Sequence, residues 1–166
     1  RGAGRGRRDR SQFACRRIKE LDIPNLELGR LLGVDYGEAR IGLAVSDPTG
    51  TIATPIEAIK AAGSEDSTNI CRIAVEREAT GIVVGLPLAL DGSQGHAARK
   101  VNAFCARLRK TTDLPVTAWD ERMTTVEAHS LLRQAGKSPS QARGATRGKI
   151  DSASAAIILD SYMRSK

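Results

Sequence analysis

The sequence predicts an α/β fold in which a five-stranded mixed sheet is flanked by helices. Two short apolar runs joined by a tight turn open the regular part of the chain, and strands so close in sequence pair antiparallel. After them, apolar runs alternate with segments of helical periodicity, which is typical of βα units. The length of 166 residues fits one domain with a core of its own.

The first three strands form the antiparallel part of the predicted sheet. Leu31–Tyr36 and Ile41–Ser46 are apolar, and the D-Y-G-E-A-R turn between them is too short for a crossover. Residues 51–59 suit a third strand. This strand should lie at an edge of the sheet, because Pro55 has no N–H to donate to a neighbour.

The remaining strands alternate with helices. The predicted strands are Ile82–Val84 and Pro115–Asp120, and the predicted helices span 65–79, 93–110, 124–135 and Ile150–Met163. Gly81 is expected to separate the first helix from the next strand. Thr124 and Glu127 stand in capping-box register, and residues 137–149 should form a basic, flexible loop. The apolar side of the last helix should carry Ile150, Ala153, Ile157 and Ile158.

The net charge of +7 favours a polyanionic partner. Residues 1–28 hold eight Lys and Arg against four Asp and Glu without hydrophobic periodicity, so we expect a basic, disordered leader there and one domain over 29–166. The leader is open to three interpretations: a nucleic-acid-binding arm, an organelle transit remnant, or a solvated segment without function. No run approaches the roughly 18 apolar residues of a membrane span. We therefore expect no membrane partner and a cytoplasmic protein of bacterial type, or an organellar one if the leader is a transit remnant.

The three cysteines indicate a reducing compartment and neither a disulfide nor a zinc framework. Cys15, Cys71 and Cys105 match no zinc-binding spacing, and their number is odd. Cys71 and Cys105 lie within apolar helical patterns, where a thiol behaves as a small hydrophobe.

Acidic residues stand where apolar runs end or helices should begin. They are Asp35, Asp91, the pair Asp120–Glu121, and Asp151. A carboxylate at the end of a buried strand is costly unless a cation meets it, and hard divalent cations prefer oxygen ligands to His or Cys. Convergence of three or four such carboxylates on Mg²⁺ or Mn²⁺, in a two-ion site, would be typical of a metal-dependent nuclease.

Five short motifs follow one another along residues 29–166. They are L-G-V-D-Y-G-E-A-R-I-G (32–42), A-V-S-D-P (44–48), V-V-G-L-P (83–87) with D-G (91–92), D-E-R-M-T-T (120–125) and K-I-D-S-A-S-A-A-I-I-L (149–159). In this order they resemble the YqgF/RuvX family, relatives of RuvC-type Holliday-junction resolvases within the ribonuclease H-like superfamily. The resemblance implies a ribonuclease H-like fold, a nuclease activity and a role in maturing the 5′ end of 16S rRNA.

The resemblance also implies catalytic roles for Asp35, Asp120, Glu121 and Asp151. Asp35 would bridge two metal ions, with Glu121 and Asp151 as further ligands. Because strand alternation sends Asp120 and Glu121 to opposite faces, only one of the two is expected at the metals. It remains open whether Asp120 is the ligand in place of Glu121. Without the resemblance, Asp35 would be an ordinary turn residue. Asp151 would then be an ordinary carboxylate in the first turn of a helix, where the helix dipole favours it.

Six cations are candidates for binding phosphates: Arg40, Arg122, Lys137, Arg143, Arg147 and Lys149. Arg122 directly follows the acidic pair, so it is placed either for a scissile phosphate or for an internal salt bridge. The loop cations would add affinity that depends on salt and not on sequence. Gly33, Gly37 and Gly42 would permit the hairpin turn and a close backbone approach to a phosphate, or would serve the fold alone.

The leading hypothesis is a metal-dependent endonuclease that acts on structured RNA in the 5′-end maturation of precursor 16S rRNA. A resolvase of four-way DNA junctions is the alternative enzyme, and it would need a two-fold dimer with paired active sites. The alternative that is not an enzyme is an RNA-binding assembly factor. RNA is favoured over DNA as the partner, and the sequence leaves open whether the chain is a monomer or a homodimer.

Overall fold

The computed structural model contains the five predicted strands. It describes residues 29–89, 91–124 and 145–166. The strands are β1 (Arg30–Tyr36), β2 (Arg40–Ser46), β3 (Ala53–Lys60), β4 (Ala79–Leu86) and β5 (Val116–Asp120). The helices within the described residues are α1 (Asp66–Glu76), α2 (His96–Thr111) and α3 (Ala145–Arg164). The predicted mixed α/β fold is confirmed, with the strand order β3-β2-β1-β4-β5.

The sheet changes from antiparallel to parallel pairing at β1. This strand pairs antiparallel with β2 and parallel with β4, which in turn pairs parallel with β5. Gly37 closes the β1–β2 turn by donating its N–H to the carbonyl of Arg40 at 3.1 Å. β3 lies at an edge of the sheet, as Pro55 predicted. Because β1, β4 and β5 run in the same direction, their carboxyl ends meet at one end of the sheet.

Different helices cover the two faces of the sheet. α1 and α2 pack on one face, over Leu32 and its neighbours, and α3 packs on the other face, over Val83. Side chains alternate along a strand. Tyr36 therefore points to the α2 side, where it stacks on Phe104 with ring centroids 4.1 Å apart. Asp35, one residue earlier, points to the α3 side.

The boundary between α1 and β4 differs from the prediction. The strand was expected only over Ile82–Val84, with Gly81 as a separator, whereas β4 begins at Ala79 and contains Gly81. α1 ends at Glu76, three residues earlier than predicted. The chain reverses through Glu78, whose φ of 55° is uncommon for a residue other than glycine.

The last helix begins earlier than predicted. α3 starts at Ala145 instead of Ile150, so Arg147 and Lys149 lie in a helix and not in a loop. Asp151 is consequently in the second turn, beyond the first turn in which the helix dipole favours a carboxylate. The buried side of α3 is also different from the predicted set, of which only Ile158 is buried. Its buried residues from Ile150 onwards are Ser152, Ala155, Ile158 and Leu159.

Part of the prediction lies outside the described residues. This applies to the leader 1–28, to Cys15 and to all but the first residue of the helix expected over 124–135. Cys71 and Cys105 are buried, as predicted. In the three described segments, no helix combines the length and the apolar composition that crossing a membrane requires.

Candidate active site

Asp35 lies in a row of residues that crosses the sheet where β1, β4 and β5 end. Gly42 of β2 is its partner on one side. On the other side, the pairing of Val34 with Val84 brings Gly85 of β4 level with Asp35. Asp35 therefore has a glycine as its neighbour on either side, on the face covered by α3.

Two glycines let the backbone of α3 lie directly on the sheet. A Cβ atom on Gly42 would lie 2.0 Å from the carbonyl oxygen of Asp151, and one on Gly33 would lie 2.9 Å from that of Ala155. For Gly33, Gly37 and Gly42 the sequence left open a phosphate contact or a role in the fold alone. Gly33 and Gly42 have the structural role of making room for α3, and Gly37 forms the hairpin turn.

Gly85 makes room for a second carboxylate, and sequence reasoning did not single it out. A Cβ atom there would lie 2.6 Å from Oε1 of Glu121 and 2.5 Å from Cδ1 of Ile158. The signal was present in V-V-G-L, because a glycine within an apolar strand often marks the close approach of another group. Glu121, which begins the turn directly after β5, thus reaches the same face as Asp35.

Asp35 is the shared neighbour of two other carboxylates. Burial raises the pKa of Asp35 to about 6, and the charge of Asp151 adds to this effect. Burial likewise raises the pKa of Glu121 to about 7, with further contributions from the charges of Asp35 and Asp120. Both shifts have the direction that desolvation and like-charge repulsion produce. Residues from β1, from the turn after β5 and from α3 therefore meet at one end of the sheet.

Asp120 points away from this group and binds Arg122. Its carboxylate accepts a hydrogen bond from the Arg122 backbone N–H at 3.0 Å and from the guanidinium, where the Nη2–Oδ2 distance is 2.6 Å. These contacts hold the pKa of Asp120 below its usual value and raise that of Arg122. Of the two roles predicted for Arg122, the structure contains the internal salt bridge.

Asp91, the remaining acidic candidate, does not join the three carboxylates. Asp91 is exposed and accepts a hydrogen bond from the backbone N–H of Ser93 at 2.8 Å. Among the predicted phosphate ligands, Arg40 begins β2, and the backbone positions of Arg147 and Lys149 lie in the first two turns of α3. Lys137 and Arg143 lie outside the described residues.

The donor set has the chemistry of a site for a hard divalent cation. Asp35, Glu121 and Asp151 all supply carboxylate oxygens, and a cation between them would replace repulsion with attraction. Within residues 29–89, 91–124 and 145–166, however, no three acidic, His or Cys side chains are grouped closely enough to hold a metal ion. The three carboxylates suit a cation because all are oxygen donors and because Asp35 lies near both of the others. They do not form a closed cage.

Glu121→Gln should stabilise the metal-free protein at neutral and alkaline pH. Because the pKa of Glu121 is raised from 4.5 to about 7 in the folded state, the fold favours the protonated side chain. This contribution to stability is complete below the unfolded pKa and is lost as the pH rises through the folded pKa. Gln is neutral at every pH. The free energy of unfolding of the variant, relative to that of the wild type, should therefore increase by about 1–3 kcal/mol as the pH rises from about 5 to about 8.

Urea unfolding in EDTA at several pH values measures this gain as a difference in the free energy of unfolding. Glu57→Gln is a matched control, because Glu57 is exposed on the edge strand β3. Its difference from the wild type should not change with pH. A Glu121→Gln difference that is equally independent of pH would contradict the prediction.

Comparison with known proteins identifies one family and relatives of similar length. A family model described as "RuvX: Holliday junction resolvase" matches residues 29–165. A protein of Clavibacter michiganensis subsp. michiganensis is 44% identical over 138 residues, which cover 81% of this chain and 82% of the relative. A protein of Anaeromyxobacter sp. (strain Fw109-5) is 41% identical over 135 residues, which cover 81% and 96%, respectively. Both relatives carry the name "Putative pre-16S rRNA nuclease".

Among solved structures, the fold is similar to RuvC of T. thermophilus in complex with a Holliday junction substrate. The TM-score is 0.50 at 15% sequence identity, and the match covers 82% of this chain and 96% of that chain. At this identity the likeness concerns the fold alone. It agrees with the predicted ribonuclease H-like architecture.

Proposed function

This chain belongs to the RuvX family, and from that premise we propose that it is a metal-dependent endonuclease. It cleaves phosphodiester bonds of structured RNA, with precursor 16S rRNA as its substrate. The proposal depends above all on one observation, the meeting of Asp35, Glu121 and Asp151 on the α3 face of the sheet. Buried carboxylates that repel one another reduce stability unless they serve a cation or a reaction. The names of the relatives supply the substrate.

Asp35, Glu121 and Asp151 would hold the metal, for which we propose Mg²⁺ or Mn²⁺ in a two-ion site. When bound, such ions supply an activated water and stabilise charge on the phosphate. The carboxylates provide negative charge and oxygen ligands at a partly buried position, where electrostatic interactions are stronger than in water. Gly42 and Gly85 allow Asp151 and Glu121 to approach Asp35.

Asp120 and Arg122 have a different role in this proposal. Asp120 fixes the guanidinium of Arg122 at the margin of the site through the salt bridge. A guanidinium held in a fixed orientation has the planar geometry that suits a phosphate. We therefore assign Arg122 to positioning the RNA backbone and Asp120 to orienting Arg122.

A resolvase of DNA junctions is the second candidate, because the matching family model is described by that activity. The two candidates differ in substrate and not in the metal site. An assembly factor without catalysis is the third, and the absence of a closed metal cage among the described side chains favours it.

The test is to incubate the wild type and Asp35→Asn with Mn²⁺ or Mg²⁺ and two labelled substrates, a precursor 16S rRNA 5′ segment and a four-way DNA junction. Cleavage of the RNA by the wild type and not by the variant is the expected result. Symmetric cutting of the junction alone would favour the resolvase. Binding of RNA without cleavage of either substrate would overturn the proposal in favour of the assembly factor.

A further inference from the structure

Of the three α-helices in the described residues, only α2 carries charges of a single sign. Its 16 residues include no acid and five cations: Arg99, Lys100, Arg107, Arg109 and Lys110. Residues 29–166 have a net charge of only +3, so the rest of the domain is slightly acidic. α1 and the described turns of α3 contain both signs. Solvated helix surfaces usually mix both signs, so a uniform charge of this size requires a further explanation.

Helix stability explains only part of this charge. Arg109 and Lys110 lie in the last turn, where cations interact favourably with the helix dipole. Arg109 also donates a hydrogen bond to the carbonyl of Val116 at 2.9 Å, so it has a structural role. Arg99, by contrast, lies in the first turn, where the same dipole disfavours a cation, and Lys100 lies at the start of the second turn, where the dipole has little effect.

Four of the cations form one stripe along the helix. At about 100° per residue, Arg99, Lys100, Arg107 and Lys110 fall within about 100° of one another around the helix axis, and we call them the basic stripe. All four are exposed. At a rise of about 1.5 Å per residue, the stripe extends over about 16 Å, which is long enough to follow several phosphates of a nucleic-acid strand.

One side of the basic stripe faces the β1–β2 hairpin, and the other faces solvent. Lys100 forms an ion pair with Glu38 of the hairpin turn, and the guanidinium of Arg107 lies 6.0 Å from the ring centroid of Phe104. The side chains of Arg99 and Lys110 make no hydrogen bond or ion pair with any residue in the described segments. These two cations are therefore available to an external anion.

The basic stripe begins at the end of the sheet that carries the candidate active site, on the opposite face. α2 follows β4 in the chain, so it starts at the end of the sheet where β1, β4 and β5 finish. The contact of Lys100 with Glu38 joins it to the turn directly after β1, the strand that carries Asp35. From there the helix runs antiparallel to β4 along the flank of the domain. A strand bound at the carboxylates on the α3 face would reach this stripe by passing around the end of the sheet.

We propose that the basic stripe binds the phosphate backbone of the RNA segment that flanks the cleaved bond. The proposal rests on the proposed function for the identity of the nucleic acid. Because the stripe offers cations and no exposed aromatic ring, it contacts phosphates and reads no bases. It adds affinity that is independent of sequence and decreases with salt.

The experiment compares the RNA affinity of the full chain and of the double variant Arg99→Gln/Lys110→Gln at several salt concentrations. Gln favours the helix as well as Arg and Lys do, so the fold should be retained. The matched control is Arg72→Gln/Arg77→Gln, which removes the same charge from exposed positions of α1 and its carboxyl end, on the same face of the sheet. The probe is a precursor 16S rRNA 5′ segment in buffer with EDTA, so that binding is measured without cleavage.

The stripe variant should bind the RNA about tenfold more weakly at low salt, and the slope of log affinity against log salt should fall by about 1.4–1.8, because two phosphate contacts are lost. The control variant should change the slope by much less. Equal slopes for the stripe variant and the wild type, or equal losses in both double variants, would overturn the proposal. A third outcome separates the two proposals. If the wild type does not cleave RNA but the stripe variant still binds it more weakly, the proposed nuclease activity is rejected and the proposed binding surface is kept.

Discussion

Asp35→Asn should reduce single-turnover RNA cleavage by at least about a hundredfold while RNA binding stays intact or becomes tighter. Asp35 is the neighbour that Asp151 and Glu121 share, so its neutralisation removes a central ligand from the metal. Changes to groups that merely support a metal ligand already cost about ten- to a hundredfold, so the loss of a ligand should cost more. Removing a negative charge near the phosphates favours binding.

Cleavage under single-turnover conditions and RNA binding in EDTA measure the two effects separately. Glu57→Gln removes one acidic charge at an exposed position on the edge strand β3, and should behave as the wild type in both assays. Cleavage by Asp35→Asn at the wild-type rate would show that the metal site is assigned to the wrong residues. Weaker RNA binding by the variant would show that Asp35 contributes to the fold or to the RNA contact.

Gly42→Ala should cause the largest loss of stability among single methyl additions at this site. The new Cβ would lie 2.0 Å from the carbonyl oxygen of Asp151, whereas ordinary contacts are 3.4–4 Å. Because the obstacle is the backbone of α3, the helix must move by roughly 1 Å or more, and Asp151 must move with it. Overpacking of this kind costs about 1–3 kcal/mol or more, and a displacement of about 1 Å can lower the rate about a hundredfold.

Urea unfolding gives the free energy of unfolding, and cleavage assays on the folded fraction give the rate. Gly95→Ala is the matched control, because its added methyl group meets no atom within 4 Å; since Gly95 is the N-cap of α2, only a small loss from poorer capping is expected. If Gly42→Ala does not fold, Gly33→Ala offers a milder obstacle at 2.9 Å from Ala155 O. Wild-type stability and activity in both Gly42→Ala and Gly33→Ala would contradict the close seating of α3 on the sheet.

The hairpin and the directions of the acidic side chains could be predicted because they depend on local pattern. Apolar runs on both sides of D-Y-G-E-A-R leave few alternatives to an antiparallel pair. The period of two along a strand is enough to separate Asp120 from Glu121. The same period places Asp35 on the face opposite Tyr36.

Element boundaries were less predictable, because their signals were absent or misleading. α1 ends without a glycine, and Glu78 adopts the positive φ that a glycine would be expected to supply. Gly81 resembles a separator, but it lies inside β4. α3 begins in a segment whose basic residues and glycines are equally typical of a loop.

The contacts that the glycines at the site make could not be derived from the sequence. Gly33, Gly42 and Gly85 matter because α3 and Glu121, which are distant in sequence, pack against them. Such contacts depend on the whole fold. The motif order supplied the assignment of Asp35, Glu121 and Asp151, and the structure adds the physical link between them, which is burial together with mutual repulsion.

Calorimetric titration of Mn²⁺ into the wild type and Asp35→Asn at neutral pH is the most direct test of the metal site. The wild type should bind Mn²⁺, and the variant should bind it at least about tenfold more weakly, because a carboxylate ligand has been replaced by a neutral amide. Glu57→Gln should bind as the wild type does. Equal Mn²⁺ affinity in the wild type and Asp35→Asn, or no binding by the wild type, would contradict a metal centre built on Asp35, Glu121 and Asp151.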